Sequence, residues 1–195
     1  MNANLIWCGP AIGVRRGKGQ IRRTVKGRIN VNGTGGPILV AIDFSDDSDA
    51  AAAWAIRQAD AHGLPLSIIH VVHDPVDHPG FYRSEADDIN RPMGDVAKDM
   101  LDQYVERLKA EAPASSVLAD AELILVRGLP PTRIVEAATT IGASQIVMGC
   151  RGLTGVPHLL LGSQAERVIH LSPIPVTVVK AESDDDDTGK DPANA

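Results

Sequence analysis

The chain has 195 residues, of which 44% are hydrophobic and 3% aromatic, with a formal net charge of −6. These values allow one domain with an aliphatic core, and they argue against a nucleic-acid partner, which needs a basic surface or several aromatic faces for stacking. No stretch approaches the roughly 18 apolar residues of a membrane span, and the N-terminus lacks a signal-peptide pattern, so we expect a cytoplasmic protein without a membrane partner.

Charge divides the chain into three parts. The first 36 residues hold seven basic side chains and no acidic one, whereas Asp184–Asp187 is an unbroken acidic run near the end. We therefore predict a disordered basic arm over residues 1–36, a folded domain over 37–181 and a disordered acidic tail over 182–195.

The first half of the domain predicts two buried strands joined by a helix. Ile38–Asp43 and Leu66–Val72 are nearly continuous apolar runs, which are typical of strands covered on both faces. Between them, Ala50–Ala61 is rich in alanine and predicts a helix that ends at Gly63. A long polar loop follows, over residues 73–92.

The second half continues the alternation of strands and helices. The predicted elements are a helix over Asp95–Ala112, a strand over Ala121–Val126, a helix over Pro130–Ile141, a strand over Gln145–Met148, a helix over Ser163–His170 and a strand over Pro175–Lys180. Strict alternation indicates a single α/β domain built on a five-stranded, mostly parallel sheet with helices on both faces. Such sheets bind ligands beyond the carboxyl ends of their strands, which makes Asp43, Val71, Val72 and residues 148–152 candidates.

A glycine-rich loop connects the fourth predicted strand to the last helix. Gly149 and Gly152 follow the strand directly, where the backbone must turn and can approach a ligand closely. Gly162 and Ser163 open the helix, whose N-terminal N–H groups and partial positive charge suit a phosphate. The Ser163 hydroxyl could both cap the helix and contact a phosphate oxygen, or it could serve only as a cap.

Several common catalytic and binding motifs are absent from the sequence. It has no G-x-x-x-x-G-K-[ST] loop, no G-x-G-x-x-G after the first strand and no G-x-S-x-G elbow. His73, Asp74, Asp77 and His78 cluster in the long loop but form no clear four-ligand set. We therefore predict no catalytic residue and no metal site.

The glycine pattern resembles a known family. Gly149, Gly152, Gly162 and Ser163 follow G-x2-G-x9-G-[ST], which is similar to the ATP-binding signature of universal stress proteins. Further segments that resemble that family, in the same order, are Ile38–Ser45, His70–Val72, Ile146–Gly152 and Ser172–Val179. The resemblance covers residues 37–181 and implies a Rossmann-like fold of the adenine nucleotide alpha hydrolase-like type.

The resemblance implies an ATP site, with Mg²⁺ as a candidate companion ion, and assigns its adenosine end to four residues. Asp43 would contact the ribose or the adenine, and Val71 would meet the adenine through its backbone. Met148 and Gly149 would line the base and the ribose.

The phosphate end is assigned by the same resemblance to Gly152, Gly162 and Ser163. Gln164 replaces the small apolar residue that is more usual in the family, although its backbone N–H could still serve a phosphate. Family members are commonly dimers, and here the implied homodimer would pair through Val176–Val179, an apolar edge that otherwise risks aggregation.

Three functions remain open at this stage. The first is a regulatory protein of the stress response that binds ATP as a homodimer and acts through partners. The second is a slow ATPase or phosphoryl-transfer enzyme that uses the same pocket, although a Walker-type lysine is missing. The third is a dimeric scaffold without bound nucleotide.

Overall fold

The computed structural model describes residues 5–8, 35–73, 92–152 and 161–182. Within these ranges six strands form one sheet in the order β1-β4-β3-β2-β5-β6, and every neighbouring pair is parallel. The strands are β1 (Leu5–Cys8), β2 (Ile38–Ile42), β3 (Leu66–Val72), β4 (Glu122–Arg127), β5 (Gln145–Gly149) and β6 (Val176–Val179).

The helices lie between the strands in the predicted alternation. They are α1 (Asp46–His62), α2 (Met93–Glu111), the short α3 (Ser116–Ala119), α4 (Pro130–Ile141) and α5 (Ser163–Leu171). At α1, Ser45 caps the first turn by accepting from the N–H of Ser48, and Gly63 ends the helix with a left-handed φ of 61°. Gly142 ends α4 in the same way, with φ at 66°.

Two apolar layers bury the sheet. One packs the inner residues of α1 and α2 against β2, β3 and β4, with Leu101 and Leu125 fully buried in it. The other packs α4 and α5 against the opposite face, around Leu39, Ile69 and Ile146. The central strands β2 and β3 are buried along their whole length, as their apolar runs predict, whereas β6 is half-buried.

The five predicted strands and the α/β class are confirmed. Two elements were not expected: α3, and strand β1 within the segment that was predicted to be a disordered arm. For Leu5–Cys8 that prediction is wrong, because these four residues pair with β4 in the register Leu5↔Leu123 to Cys8↔Val126. The pairing satisfies the backbone groups of a strand that would otherwise be an open edge.

Two other predicted features fall almost entirely outside the described residues. Of the acidic tail predicted over residues 182–195, only Glu182 is described, three residues after the end of β6. The long loop is described only at His73 and Pro92. Among the helices of the described ranges, none is long and apolar enough to cross a bilayer.

Candidate functional site

The predicted site lies where the strand order of the sheet reverses. From β2 the chain continues to β3 on one side, and it later returns to β5 on the other side of β2. Because Ile42 pairs with His70, Asp43 lies level with Val71 at the carboxyl edge. Met148, paired with Ala41, brings the end of β5 to the same edge. The topology therefore gathers the predicted adenosine-end residues at a switch point, where open α/β sheets bind ligands.

The Asp43 carboxylate is held by the residue that caps α1. Its Oδ1 accepts hydrogen bonds from the Ser45 backbone N–H at 3.2 Å and from the Ser45 hydroxyl at 2.5 Å. No hydrogen bond from a described residue ends on Oδ2, which faces Gly152: a Cβ placed on Gly152 would lie 2.6 Å from it. Asp43 thus has two roles: its Oδ1 holds the turn at Ser45, and its Oδ2 is a candidate contact for a ligand.

Three glycines of the loop have a neighbouring atom within 3.0 Å of the place where a Cβ would lie. At Gly149 a Cβ would lie 2.8 Å from the backbone carbonyl carbon of Asp47. At Gly162 it would lie 3.0 Å from the carbonyl oxygen of Cys150, to which Gly162 also donates its N–H at 2.8 Å. The end of β5, the start of α5 and the Asp43 carboxylate therefore lie close together. We call this arrangement the cradle, and its spacing depends on glycine having no side chain at these three positions.

The first turn of α5 faces the same edge without a side-chain cap. The N-cap residue is Gly162, and no side chain of the described residues accepts from its first turn. The N–H groups of the next three residues have no acceptor within the helix, as helix geometry requires. The alternative that Ser163 caps the helix is wrong, because Ser163 is the first helical residue and lies one position too far along. Ser163 and Gln164 are exposed.

Asp47 is a buried acid at the site that sequence reasoning did not single out. Its Oδ2 accepts from the Arg151 backbone N–H at 2.8 Å and from Arg151 Nε at 3.2 Å, while Oδ1 accepts from the Ala181 N–H at 2.8 Å. The only available signal was its place among the acids that open α1. That place is ordinary for a helix N-terminus and carries no functional meaning by itself.

An aromatic contact supports the turn behind Asp43. Phe44 has a φ of 66°, a left-handed conformation that is strained for a bulky residue. Its ring packs on His70 at a centroid distance of 4.5 Å and meets Tyr104 edge-on at 5.6 Å. This packing holds the strained turn in place, and with it the residue before it, Asp43.

His70 lies beneath that turn as a buried neutral imidazole. Its Nδ1 is 2.9 Å from the carbonyl oxygen of Ile42. Burial lowers the pKa of His70 to about 4, although the Ile42 carbonyl and the nearby Asp43 charge act in the opposite direction. His70 therefore carries no charge at neutral pH and contributes packing and a hydrogen bond to the Ile42 carbonyl.

Among the residues that the structure describes, the remaining candidates form no second centre. Of the histidine and aspartate cluster, His73 bonds through Nδ1 to the Val71 carbonyl at 3.0 Å, and Asp74, Asp77 and His78 lie outside the described residues. Within residues 35–73, 92–152 and 161–182, no group of three or more histidine, cysteine or acidic side chains is arranged to hold a metal. Cys150 is buried next to the glycine loop.

Comparison with known proteins identifies a family. The sequence profile of the universal stress protein family matches residues 36–180. A universal stress protein of Thermus aquaticus is 36% identical over 143 residues, which is 73% of this chain and 97% of that relative.

Solved structures agree with the fold. The universal stress protein UspA from Lactobacillus plantarum superposes with a TM-score of 0.57 at 22% identity, covering 75% of this chain and 99% of its own. A universal stress protein solved in complex with cAMP gives a TM-score of 0.53 at 23% identity, covering 76% and 100%. At these identities the likeness establishes the shared architecture.

Proposed function

We propose, from the premise that this chain belongs to the universal stress protein family, that it binds ATP at the carboxyl edge of β2, β3 and β5. In this proposal it acts as a regulatory protein of the stress response and not as an enzyme. The observation that carries the proposal is the convergence of Asp43 Oδ2, Gly152 and the uncapped start of α5 on one cradle.

The shape of the cradle fits an anionic ligand. A Cβ at Gly152 would press on the Asp43 carboxylate, 2.6 Å from Oδ2, and one at Gly162 would press on the Cys150 carbonyl. The first-turn N–H groups of α5 offer backbone donors and a partial positive charge at the same place. Glycines that let the loop backbone pass close to its neighbours, beside uncapped helix amides, are the arrangement that phosphate groups use in nucleotide-binding α/β proteins.

The adenosine half of the ligand is assigned to the strand ends. Asp43 Oδ2 is an acceptor suited to a ribose hydroxyl, because Oδ1 is already taken by Ser45. Val71 and Met148 are buried apolar residues at the same edge and would line the base, together with Gly149.

The phosphate half is assigned to the loop and α5. Gly152 and Gly162 would let the backbone approach the phosphates, while Ser163 and Gln164 would contribute first-turn N–H groups. An associated Mg²⁺ would neutralise part of the triphosphate charge.

We further propose a homodimer through Val176–Val179. This strand is the last of the sheet order, half-buried, and bonded to β5 on one side. A valine-rich edge of this kind is a template for pairing with a second copy. Sedimentation velocity of the full chain tests the proposal: a species of twice the chain mass is expected, and a monomer at high concentration contradicts it.

Isothermal titration calorimetry with Mg-ATP tests the nucleotide site. The wild-type chain is expected to bind below millimolar ATP, and Gly152→Val to bind at least about tenfold more weakly, a loss of about 1.4 kcal/mol. Gly63→Asn is the matched control, because Gly63 ends α1 in open space and asparagine tolerates its left-handed φ.

The outcomes separate the three functions. No binding of ATP by the wild-type chain at near-millimolar concentration contradicts the proposal and favours the scaffold. Hydrolysis by the wild type well above the rate of Gly152→Val favours the slow ATPase. Binding without such excess hydrolysis is the expected result.

A further inference from the structure

The Asp47 carboxylate joins three segments that are distant in sequence. It lies in the first turn of α1 and is 4% exposed. Its acceptors are used by Arg151, 104 residues away, and by Ala181, 134 residues away. None of these donors belongs to its own helix. The side chain therefore bonds the start of α1 to the glycine loop and to the chain immediately after β6.

The contact set matches a carboxylate and no other side chain of that size. Each of its partners among the described residues is an N–H donor: two backbone amides and the Arg151 Nε. An ionised carboxylate is acceptor-only and can serve all three, whereas an asparagine would turn an NH₂ group towards one of them. Because the site is buried, a donor left without an acceptor costs free energy.

The same loop is fixed on its other side by β6. The Cys150 N–H donates to the Val179 carbonyl at 2.6 Å, and Gly162 donates back to Cys150 at 2.8 Å. Gly149 meanwhile approaches the Asp47 backbone so closely that a Cβ would not fit. The loop is thus held between α1 and the edge strand before α5 begins.

The Arg151 guanidinium is held by Asp47 through one of its three nitrogens. Only Nε bonds to Asp47, at 3.2 Å, and the side chain is 28% exposed. Within the described residues, no hydrogen bond or ion pair involves its two terminal nitrogens. Those nitrogens are the donors that pair best with phosphate oxygens, since they form a planar fork. Arg151 also precedes Gly152, which lies against Asp43.

We infer that Asp47 is the positioning residue of the polyphosphate end of the site, and that it couples that end to the edge strand β6. The inference rests on the proposed binding of ATP and deepens it. Asp47 orients Arg151 towards the phosphates and ties the same loop to Ala181. Its hydrogen bonds go to Arg151 and Ala181 and none goes to Asp43, Val71 or Met148, so its effect falls on the phosphate end.

The experiment compares two ligands on the full-length chain. Mg-ATP and adenosine are titrated into the wild type, Asp47→Asn and Arg151→Gln, by calorimetry and by ligand-observed NMR, which reaches millimolar dissociation constants. For both variants the ATP affinity is expected to fall roughly 10- to 100-fold, the loss of one charge-assisted hydrogen bond, while the adenosine affinity stays within about twofold.

The matched control is Asp49→Asn. Asp49 is two residues along the same helix and also pairs with an arginine, Arg107, but this pair is exposed and does not contact the loop. Its variant is expected to bind both ligands as the wild type does.

Hydrogen exchange provides a readout that a purely structural role would not change. Saturating Mg-ATP is expected to protect the amides of residues 176–181 in the wild type and to leave them unchanged in Asp47→Asn. Should Asp47→Asn fail to fold, Arg151→Gln carries the affinity test, since it keeps the backbone N–H of residue 151 and the Ala181 contact.

The results distinguish this inference from the proposed function. A wild type that binds neither ligand overturns both. A wild type that binds ATP, with variants that bind it equally well or lose ATP and adenosine in parallel, overturns the inference alone.

Discussion

Two aspartates near the start of α1 each meet an arginine, and their surroundings differ. Asp49 and Arg107 form the better geometry, with one guanidinium nitrogen at 2.8 and 2.9 Å from the two carboxylate oxygens. Their side chains are, however, 37% and 44% exposed. Asp47 lies 3.2 Å from Arg151 Nε, but its side chain is 5% exposed and it accepts two backbone N–H groups as well.

The comparison shows that burial and backbone donors decide what an ion pair contributes, more than the distance between the charges does. The exposed pair is screened by water and costs side-chain entropy to hold, so its net effect on stability is small. The buried carboxylate has become part of the fold, because three donors would be left without an acceptor if it were removed.

Removing the buried acid should give the largest loss of stability. Asp47→Ala is expected to lower the free energy of unfolding by about 3–5 kcal/mol, since it strands the Arg151 charge and two backbone N–H groups. Urea unfolding followed by circular dichroism measures the change. A double-mutant cycle with Arg151→Ala isolates the side-chain pair from the backbone bonds. A loss below about 1 kcal/mol for Asp47→Ala would show that water replaces the carboxylate freely.

His70 extends the comparison to a buried ionisable group whose charged form is disfavoured by burial. Its pKa is lowered by burial to about 4, against 6.5 for the free side chain. The unfolded chain therefore binds more protons than the folded chain between these values. This contribution to stability is present above pH 6.5 and is lost as the pH falls towards 4, by about 3 kcal/mol in total.

A substitution separates this loss from general acid unfolding. His70→Gln keeps a side-chain donor for the Ile42 carbonyl but cannot take up a proton, so its stability should fall less than that of the wild type between pH 7 and pH 4. Carboxylates titrate equally in both chains and cancel in the difference. The exposed His62→Gln serves as control and should follow the wild type. Parallel pH profiles for the wild type and His70→Gln would contradict the buried neutral imidazole.

Much of the fold could be predicted from the sequence, because its central strands are almost uninterrupted apolar runs. Ile38–Ile42 and Leu66–Val72 could be assigned to strands buried on both faces on this ground, and the alternation of strands and helices then indicated a parallel sheet. The glycine loop could also be predicted, because Gly149 and Gly152 follow the fourth predicted strand and Gly162 immediately precedes a predicted helix.

The residues that sequence reasoning missed depend on contacts between distant segments. Asp46, Asp47 and Asp49 are equivalent in sequence as acids of one helical turn. Asp47 is the one that is buried because Arg151 and Ala181 pack against it in the folded chain, and no local sequence pattern predicts this contact. The strained φ of Phe44 likewise depends on packing against His70 on the neighbouring strand.

Strand β1 was missed for a similar reason. Leu5–Cys8 is a four-residue apolar run within a basic segment, too short to predict a strand by itself. Its pairing partner is the edge of β4, which is formed by residues more than a hundred positions later. The sheet edge, and not the run, determines that these residues pair.

The smallest effect is expected at the exposed pair, and it completes the comparison. Asp49→Ala should lower the free energy of unfolding by about 0.5 kcal/mol at low salt, and by less in 1 M salt, because the charges at this surface are screened within a few ångströms. Arg107 would keep two other contacts, an ion pair with Glu111 at 3.1 Å and its position 4.9 Å from the Tyr104 ring. Urea unfolding of Asp49→Ala and Asp47→Ala at both salt concentrations measures the two losses of stability side by side. If Asp49→Ala costs as much as Asp47→Ala, or costs the same in high salt, burial is not what separates the two pairs, and the case for Asp47 as a fixed part of the loop loses its physical basis.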